Sequence, residues 1–355
     1  VNTDRLFAFG WANARRLPTP LGYALAHGGA DAAWLAHRAL QAVGKKGLRG
    51  LGQLEKNIIK VERYAQRPTN PTRIHRLSRS GMRSYMRYFY EALALPAVTQ
   101  SQLRARVRAE LDPRLEDDLA DGSVVMALPH MGNWDLAGAW ASATLATVLT
   151  VAEKLEPEEL FHQFVAFRES LGMEIIGQAK GERVFDQLVS RAQTGHYFIP
   201  LLADRDLSIN GITTQLCGSE ARVAAGPAAL ALRLNRPLYT GTLTYERLSG
   251  ERRREAGSSW GLVIDVRRIG EPADFGWTSE TTRDEARSIT SKMTHQWVQQ
   301  LSELLRDTVT DWHMLQPVFT DDLDMQRLQA SHDRARQRQE AEAAGHQLLD
   351  THQEA

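Results

Sequence analysis

The sequence predicts an α/β fold: a central, mostly parallel or mixed β-sheet flanked by helices, preceded by a helical, basic N-terminal region. Three observations carry that prediction. Beyond about residue 110, short apolar runs of strand length alternate with longer amphipathic stretches, the pattern of a sheet covered by helices. Before that point, aromatic and leucine residues recur at helical spacing among arginines and lysines. Finally, 355 residues with 43% hydrophobic and 24% charged content suffice for a sizeable core in a globular chain.

The elements follow in order. The start offers Leu6, Phe7, Phe9 and Trp11, then Leu21, Tyr23, Leu25, Trp34, Leu35 and Leu40, interspersed with Arg15, Arg16, Arg38, Lys45 and Lys46. Two or three amphipathic helices broken at Pro18, Pro20 and Gly28-Gly29 account for this spacing. An aromatic apolar face with basic flanks suits a membrane-association helix lying in a bilayer surface, and equally a helix packed on its own domain. Ile74–Leu93 reads as a further helix, with an aromatic stripe (Tyr85, Tyr88, Phe89) that belongs in a core and with Arg76, Arg79, Arg83 and Arg87. Strands are expected at Val124–Leu128, Thr147–Val151, Met173–Ile176, Tyr197–Leu202, Leu238–Thr244 and Gly261–Val266. Helices are expected at Glu158–Leu171, Arg183–Gln193, Pro227–Leu234 and Thr282–Arg306, Pro227 suiting a first helical turn. From about Asp321 the chain is charged and low in β-branched residues, so it forms an exposed helix or stays disordered. The organisation is a basic helical region at 1–110 packed on an α/β core at 111–318 as one structural domain, then a tail at 319–355.

Composition narrows the function classes. The zero net charge conceals an asymmetry: residues 1–110 hold 19 Lys/Arg against 6 Asp/Glu, a balance of +13, and the rest carries −13. The excess is densest from Lys45 to Arg87. A basic patch of this kind suits nucleic acid, an anionic membrane surface, a phosphorylated ligand or simply solvent. No nucleic-acid module accompanies it, so no nucleic-acid partner is expected. A single cysteine, Cys217, excludes an internal disulfide framework and a cysteine-rich zinc site. No Walker loop, GxGxxG or HExxH occurs, and no metal or cofactor is expected. The longest uncharged run, Leu136 to Ala152, has seventeen residues and reads as a buried helix followed by a strand rather than a membrane span.

The stretch that carries chemistry is Leu128-Pro129-His130-Met131-Gly132-Asn133-Trp134-Asp135. A buried strand that ends in Pro-His and turns through Gly-Asn into a helix sets one imidazole at the mouth of a sheet. Residues five apart do not share a helix face, so His130 and Asp135 meet only if the backbone turns between them. Gly132 permits the turn, and Asn133 can cap a helix starting near Trp134. Asp135 can then accept a hydrogen bond from His130, leaving the other ring nitrogen as a proton acceptor. Asp204-Arg205-Asp206 ends the apolar run Phe198–Ala203, where a charged cluster marks a site at a sheet edge or a surface turn. Arg168, on a helix, suits phosphate or oxyanion recognition. Glu153, at a strand end, either contacts substrate or caps a helix, and Glu220 and Arg222 read as a solvated loop.

Around this element the sequence resembles the lysophospholipid acyltransferase superfamily, in the bacterial branch of lipid A and phosphatidylinositol mannoside acyltransferases. The supporting stretches are His130–Asp135, Thr150–Leu155, Phe167–Gly172, Leu202–Leu207 and Gly226–Ala231, in the family's order, within a match over roughly residues 10–310. The resemblance implies transfer of a fatty acyl chain from acyl-coenzyme A to a mannose hydroxyl of a phosphoinositide glycolipid, by a peripheral enzyme at the cytoplasmic face of the cell membrane. It also implies His130 as general base, Asp135 as its motif partner, and functional positions at Glu153, Arg168 and Asp204; Arg205, in the charged cluster, is a further substrate-binding candidate. Asp204 departs from the mannoside pattern, which has glutamate there; aspartate keeps the charge but shortens the reach by one methylene, so the acid that holds the His130 imidazole is Asp135, Asp204 or both. A lipid A-like or other glycolipid acceptor is the alternative, and a non-catalytic lipid-binding protein the third reading.

Overall fold

The structure, a computed structural model, describes residues 14, 16–153, 158–178, 184–334 and 336–337. Leu6, Phe7, Phe9, Trp11, Arg183 and the tail beyond residue 337 lie outside the described residues.

Helix α1 (Thr19–Ala42) is continuous, so the expected break at Gly28-Gly29 does not occur. Glycine inside a helix costs about 1 kcal/mol relative to alanine, and packing along α3 (Pro71–Ala94) overrides it. Gly22 shows how close the two helices lie: a Cβ there would stand 2.0 Å from the Tyr90 ring. The opposite face of α1 has no partner among the described residues. Leu21, Leu25, Leu35 and Val43 are between 47% and 69% exposed, and Ala24, Ala32, Ala36 and Ala39 fill the same stripe without a charge. Helix α2 (Arg49–Tyr64) buries Leu51, Leu54, Ile58 and Val61 at helical spacing. Helix α4 (Gln100–Arg106) runs directly into β1 (Val107–Glu110), and α5 (Leu115–Ala120) follows.

The alternating region is β2 (Val124–Leu128), α6 (Trp134–Thr144), β3 (Leu149–Glu153), α7 (Glu158–Ser170), β4 (Glu174–Gln178), α8 (Val184–Thr194) and β5 (Phe198–Leu202). Then come the hairpin β6 (Ile212–Leu216) and β7 (Ser219–Val223), α9 (Gly226–Leu234), β8 (Leu238–Arg247), α10 (Gly250–Ala256), β9 (Trp260–Gly270) and α11 (Arg283–Thr308). All six expected strands are present. Sequence reading missed β1, whose Val-Arg-Ala-Glu lacks an apolar run, and the hairpin. Glu220 and Arg222, expected in a loop, lie in β7. The turn between β6 and β7 is Cys217-Gly218, both at positive φ (48° and 67°), as a two-residue hairpin turn requires.

The central sheet has the order β1-β9-β8-β2-β5; its pairs are parallel except β8 with β9. The pair β3-β4 continues it beyond β5 through the Val148–Phe198 bridge. Pro200 explains why that seam is thin. Phe198 N–H donates to Thr147 O at 3.1 Å, so residue 200 faces the same neighbour, where proline has no donor. The Thr150 hydroxyl donates to Pro200 O instead, at 2.6 Å.

Strand parity divides the core. Val124, Met126 and Leu128 join one buried cluster with Phe198, Leu243, Ile264 and α6 residues Leu136 and Trp140. Val125 and Ala127 join the other, with Ile199, Leu230 of α9 and Trp297 of α11. The parallel strands β2, β5 and β8 place their carboxyl ends on one edge, where open α/β sheets bind ligands.

Candidate active site

Register sets the site. In the ladder between β2 and β5, Leu128 faces Leu202, so the residues two positions beyond each, His130 and Asp204, become neighbours. Asp204 is fully buried and its carboxylate accepts three hydrogen bonds. His130 Nδ1 donates to Oδ1 at 2.6 Å, and the His130 backbone N–H and Trp312 Nε1 donate to Oδ2 at 3.0 and 2.7 Å. That holds the imidazole in one tautomer with Nε2 as the proton acceptor. Burial disfavours the charged imidazole, and the Asp204 carboxylate more than offsets it, so the pKa of His130 stands above the usual histidine value. Burial also works against the Asp204 anion, but His130 and Trp312 outweigh it, so this acid stays ionised below the ordinary carboxylate range.

The turn after His130 is clamped by the chain following α11. Gly132 N–H donates to Asp311 O at 2.9 Å, His313 N–H donates to His130 O at 2.7 Å, and Met131 bridges Trp312. Gly132 has φ of +57°, and a Cβ there would lie 2.3 Å from Leu243 O. Asn133 caps α6 as expected: its Oδ1 accepts from Leu136 N–H at 2.9 Å. Its amide donates to Glu91, a buried carboxylate also bonded by Tyr23, Arg106 and Tyr245.

Asp135 does not orient His130, which corrects the sequence expectation. It sits in the first turn of α6, 1% exposed, where Arg168 Nε donates to Oδ1 at 2.7 Å and Tyr88 OH to Oδ2 at 3.0 Å. The first turn of α6 aims Asp135 at Tyr88 of α3 and Arg168 of α7, while strand pairing turns His130 toward β5. Asp204, despite its shorter side chain, takes the orienting position. Arg168 is thus fixed by Asp135 at the wall of a cleft. Arg205 lies beside the pair but spends Nε on Pro317 O at 2.9 Å. Glu153 closes β3, and its side chain lies outside what the structure describes.

Sequence reasoning missed Trp312, Ser84 and His313. His313 is buried, accepts or donates a 3.0 Å bond with Ser84 Oγ, and is pushed down to about 3 by burial and by Arg87. No motif announces these residues; a Trp-His pair after a long helix is the only mark they leave. Trp134 meets the His130 ring edge-on at 5.9 Å and lies on Tyr88 at 4.0 Å.

Beneath α6 an apolar cleft crosses the sheet, with about 770 Å³ of empty space, its open mouth included. Met126 and Leu128 of β2, Pro200 and Leu202 of β5, Trp134 and Arg168 are among its walls. Leu128 and Leu202, two residues before His130 and Asp204, are among those walls, and Trp134 lies between the cleft and the His130 ring. The arrangement offers a tethered base, an apolar slot and a cation, Arg168, in the wall of that slot. Among the described residues no three His, Cys, Asp or Glu side chains gather as metal ligands, and no helix is long and apolar enough to cross a membrane.

Residues 68–320 match the model of the family described as bacterial lipid A biosynthesis acyltransferase. The chain is similar to the phosphatidylinositol mannoside acyltransferase of Mycolicibacterium smegmatis, 30% identical over 325 residues, covering 87% of this chain and 96% of that protein. It is likewise 30% identical over 338 residues to the protein of that name from Mycobacterium tuberculosis H37Rv, covering 92% and 91%. The acylglycerophosphate acyltransferase PlsC from Thermotoga maritima aligns with 62% of this chain and 86% of its own at 13% identity. Its TM-score of 0.30 is too low to bear on the fold.

Proposed function

The chain belongs to the bacterial lipid A biosynthesis acyltransferase family, and from that premise we propose that it moves a fatty acyl group from acyl-coenzyme A to a mannose hydroxyl of phosphatidylinositol mannoside. The observation that carries the proposal is the His130–Asp204 pair beside the apolar cleft. A thioester is already a good electrophile, so the reaction needs a base, an oxyanion partner and a slot for the chain. His130 Nε2 takes the proton as the sugar oxygen bonds to the thioester carbon. Asp204 offsets the imidazolium charge that results. Arg168, held by Asp135, faces the cleft and stabilises the oxyanion. Collapse of that intermediate breaks the C–S bond, and the coenzyme A thiolate recovers the proton from His130. The products are the ester and free coenzyme A.

The acceptor is a membrane lipid, and the proposed location is peripheral, on the cytoplasmic face. The uncharged stripe of α1 supplies the apolar contact, and exposed Lys45, Lys46 and Arg49 at its end the attraction to anionic headgroups.

The test is His130→Ala with labelled palmitoyl-coenzyme A and a panel of acceptors. Transfer should fall at least about 10²-fold, the lower range for general-base loss, with the thermal transition retained. Near-normal turnover would remove His130 from the role. Preference for a lipid A precursor over the mannoside would reassign the acceptor, and no transfer to any acceptor by the unmodified chain would favour a lipid-binding protein.

A further inference from the structure

At the same edge of the sheet, where β8 ends and β9 begins, lies a second cluster that the acyl-transfer chemistry does not use. Two guanidinium groups stack on half-buried Trp260: the Cζ atoms of Arg87 and Arg247 stand 3.5 and 4.3 Å from its ring centroid. Arg87 also lies 4.3 Å over Tyr245. His27, from α1, meets Trp260 edge-on at 6.3 Å.

The acids near Arg87 are already engaged: Asp311, which couples to it electrostatically, accepts from Ser84 and from Tyr245 N–H, and Glu91 accepts from Tyr23, Asn133 and Tyr245. Arg87 is 5% exposed, yet among the described residues it makes no hydrogen bond and no ion pair, and its Nε is buried without a partner. His27 Nε2 is buried and unpartnered as well. Arg247 has one long bond, 3.4 Å to Ser259 Oγ. Asp31, the nearest acid on α1, is already forked by Arg79 and Arg83. Elsewhere in this chain sequestered arginines sit on acids, Arg106 on Glu91 and Arg168 on Asp135. Stacking on indole recovers only part of the cost of burying a cation. Burial first, then Arg87, Arg83 and Arg247, push the His27 imidazole down to about 4, so crowding of like charge reaches α1 too.

We propose that Arg87, Arg247 and His27, gathered round Trp260, bind the phosphodiester of the acceptor glycolipid. Guanidinium forks match phosphate oxygens, and a neutral His27 adds a donor at Nε2. Two features favour the acceptor's phosphate over those of the donor. His27 belongs to the helix that carries the exposed apolar stripe, so the cluster borders the face assigned to lipid. Asp311 ties it to the reacting centre: its Oδ2 accepts from Tyr245 N–H at 2.9 Å while its backbone oxygen accepts from Gly132. The identity of the lipid rests on the acyl-transfer reading; the anion site does not.

The experiment uses the full chain with Arg247→Ala, Arg87→Met, and Arg253→Ala on exposed α10 as the charge-matched control. Binding of glycerophosphoinositol, which has the phosphodiester but no acyl chains, is read by calorimetry without turnover. Its Kd should rise about tenfold or more in the first two variants and stay fixed in the control. The preference for phosphatidylinositol mannoside over a phosphate-free mannoside should fall by a similar factor, with the discrimination between acyl-coenzyme A and acyl-pantetheine unchanged. Unchanged glycerophosphoinositol binding in Arg247→Ala, or none in the unmodified chain, overturns the site. Loss of the coenzyme A discrimination instead overturns the acceptor assignment and gives the phosphate to the donor. If Arg87→Met fails to fold, Arg247→Ala decides alone. If no acceptor is acylated at all, the acyl-transfer reading fails while the binding result stands.

Discussion

His130 and Asp204 are 74 positions apart, and the pH dependence of the reaction should report their contact. In the intact pair the carboxylate outweighs burial and keeps the imidazole pKa raised. A general base works deprotonated, so kcat/KM should fall as pH drops through that raised value. Asp204→Asn leaves burial unopposed, and burial lowers the pKa. The acidic limb of the kcat/KM profile should therefore move to lower pH, while the plateau falls about 10²- to 10⁴-fold through loss of imidazolium stabilisation and of the fixed tautomer. An unmoved limb would show that Asp204 does not act on the imidazole. His130 was legible in the sequence because a strand, a turn and a helix start announce it within eight residues. Its partner was legible only as a choice among Asp135, Asp204 or both. Choosing Asp204 over Asp135 depends on β5 lying beside β2 in a particular register, and strand adjacency leaves no local trace.

At the scale of elements, two glycines separate a turn that cannot change from a helix that can. Gly132 holds positive φ with Leu243 O where a side chain would stand. Gly132→Ala should cost stability, about 1–3 kcal/mol for the strained conformation alone, and should displace His130 with it. Gly28 lies inside α1 with open space around its Cβ direction, so Gly28→Ala should gain about 0.5–1 kcal/mol from helix propensity. Thermal unfolding with turnover measured beside it checks both; a destabilised Gly28→Ala would mean that α1 packs differently. The six strands with apolar runs were readable from sequence, as was the Asn133 cap. β1 was not, because it pairs with β9 through backbone bonds while its own side chains alternate in burial. The Gly28-Gly29 break failed for a related reason: a breaker signal is local, and α3 supplies the support from 50 residues away.

Across the whole molecule, the charge separation between residues 1–110 and the remainder, +13 against −13, makes a neutral protein strongly polar. Exposed Lys45, Lys46 and Arg49 directly follow α1, so the proposed attraction to an anionic surface and the proposed burial of the apolar stripe belong to one region. They should be separable by salt. Lys45→Glu/Lys46→Glu removes attraction worth about 1 kcal/mol per lysine near the surface, and its effect on cosedimentation with phosphatidylglycerol-containing vesicles should fade as ionic strength rises. Leu25→Glu/Leu35→Glu removes apolar contact, so its loss of binding should persist at high salt and extend to uncharged phosphatidylcholine vesicles. Both pairs are exposed, so folding should survive, and turnover on a short-chain acceptor dispersed in detergent should hold near its original rate. If the leucine variant binds vesicles as well as the parent chain, α1 is not the lipid face. The bordering Arg87–Trp260 cluster would then lose its reason for choosing the acceptor's phosphate over the donor's.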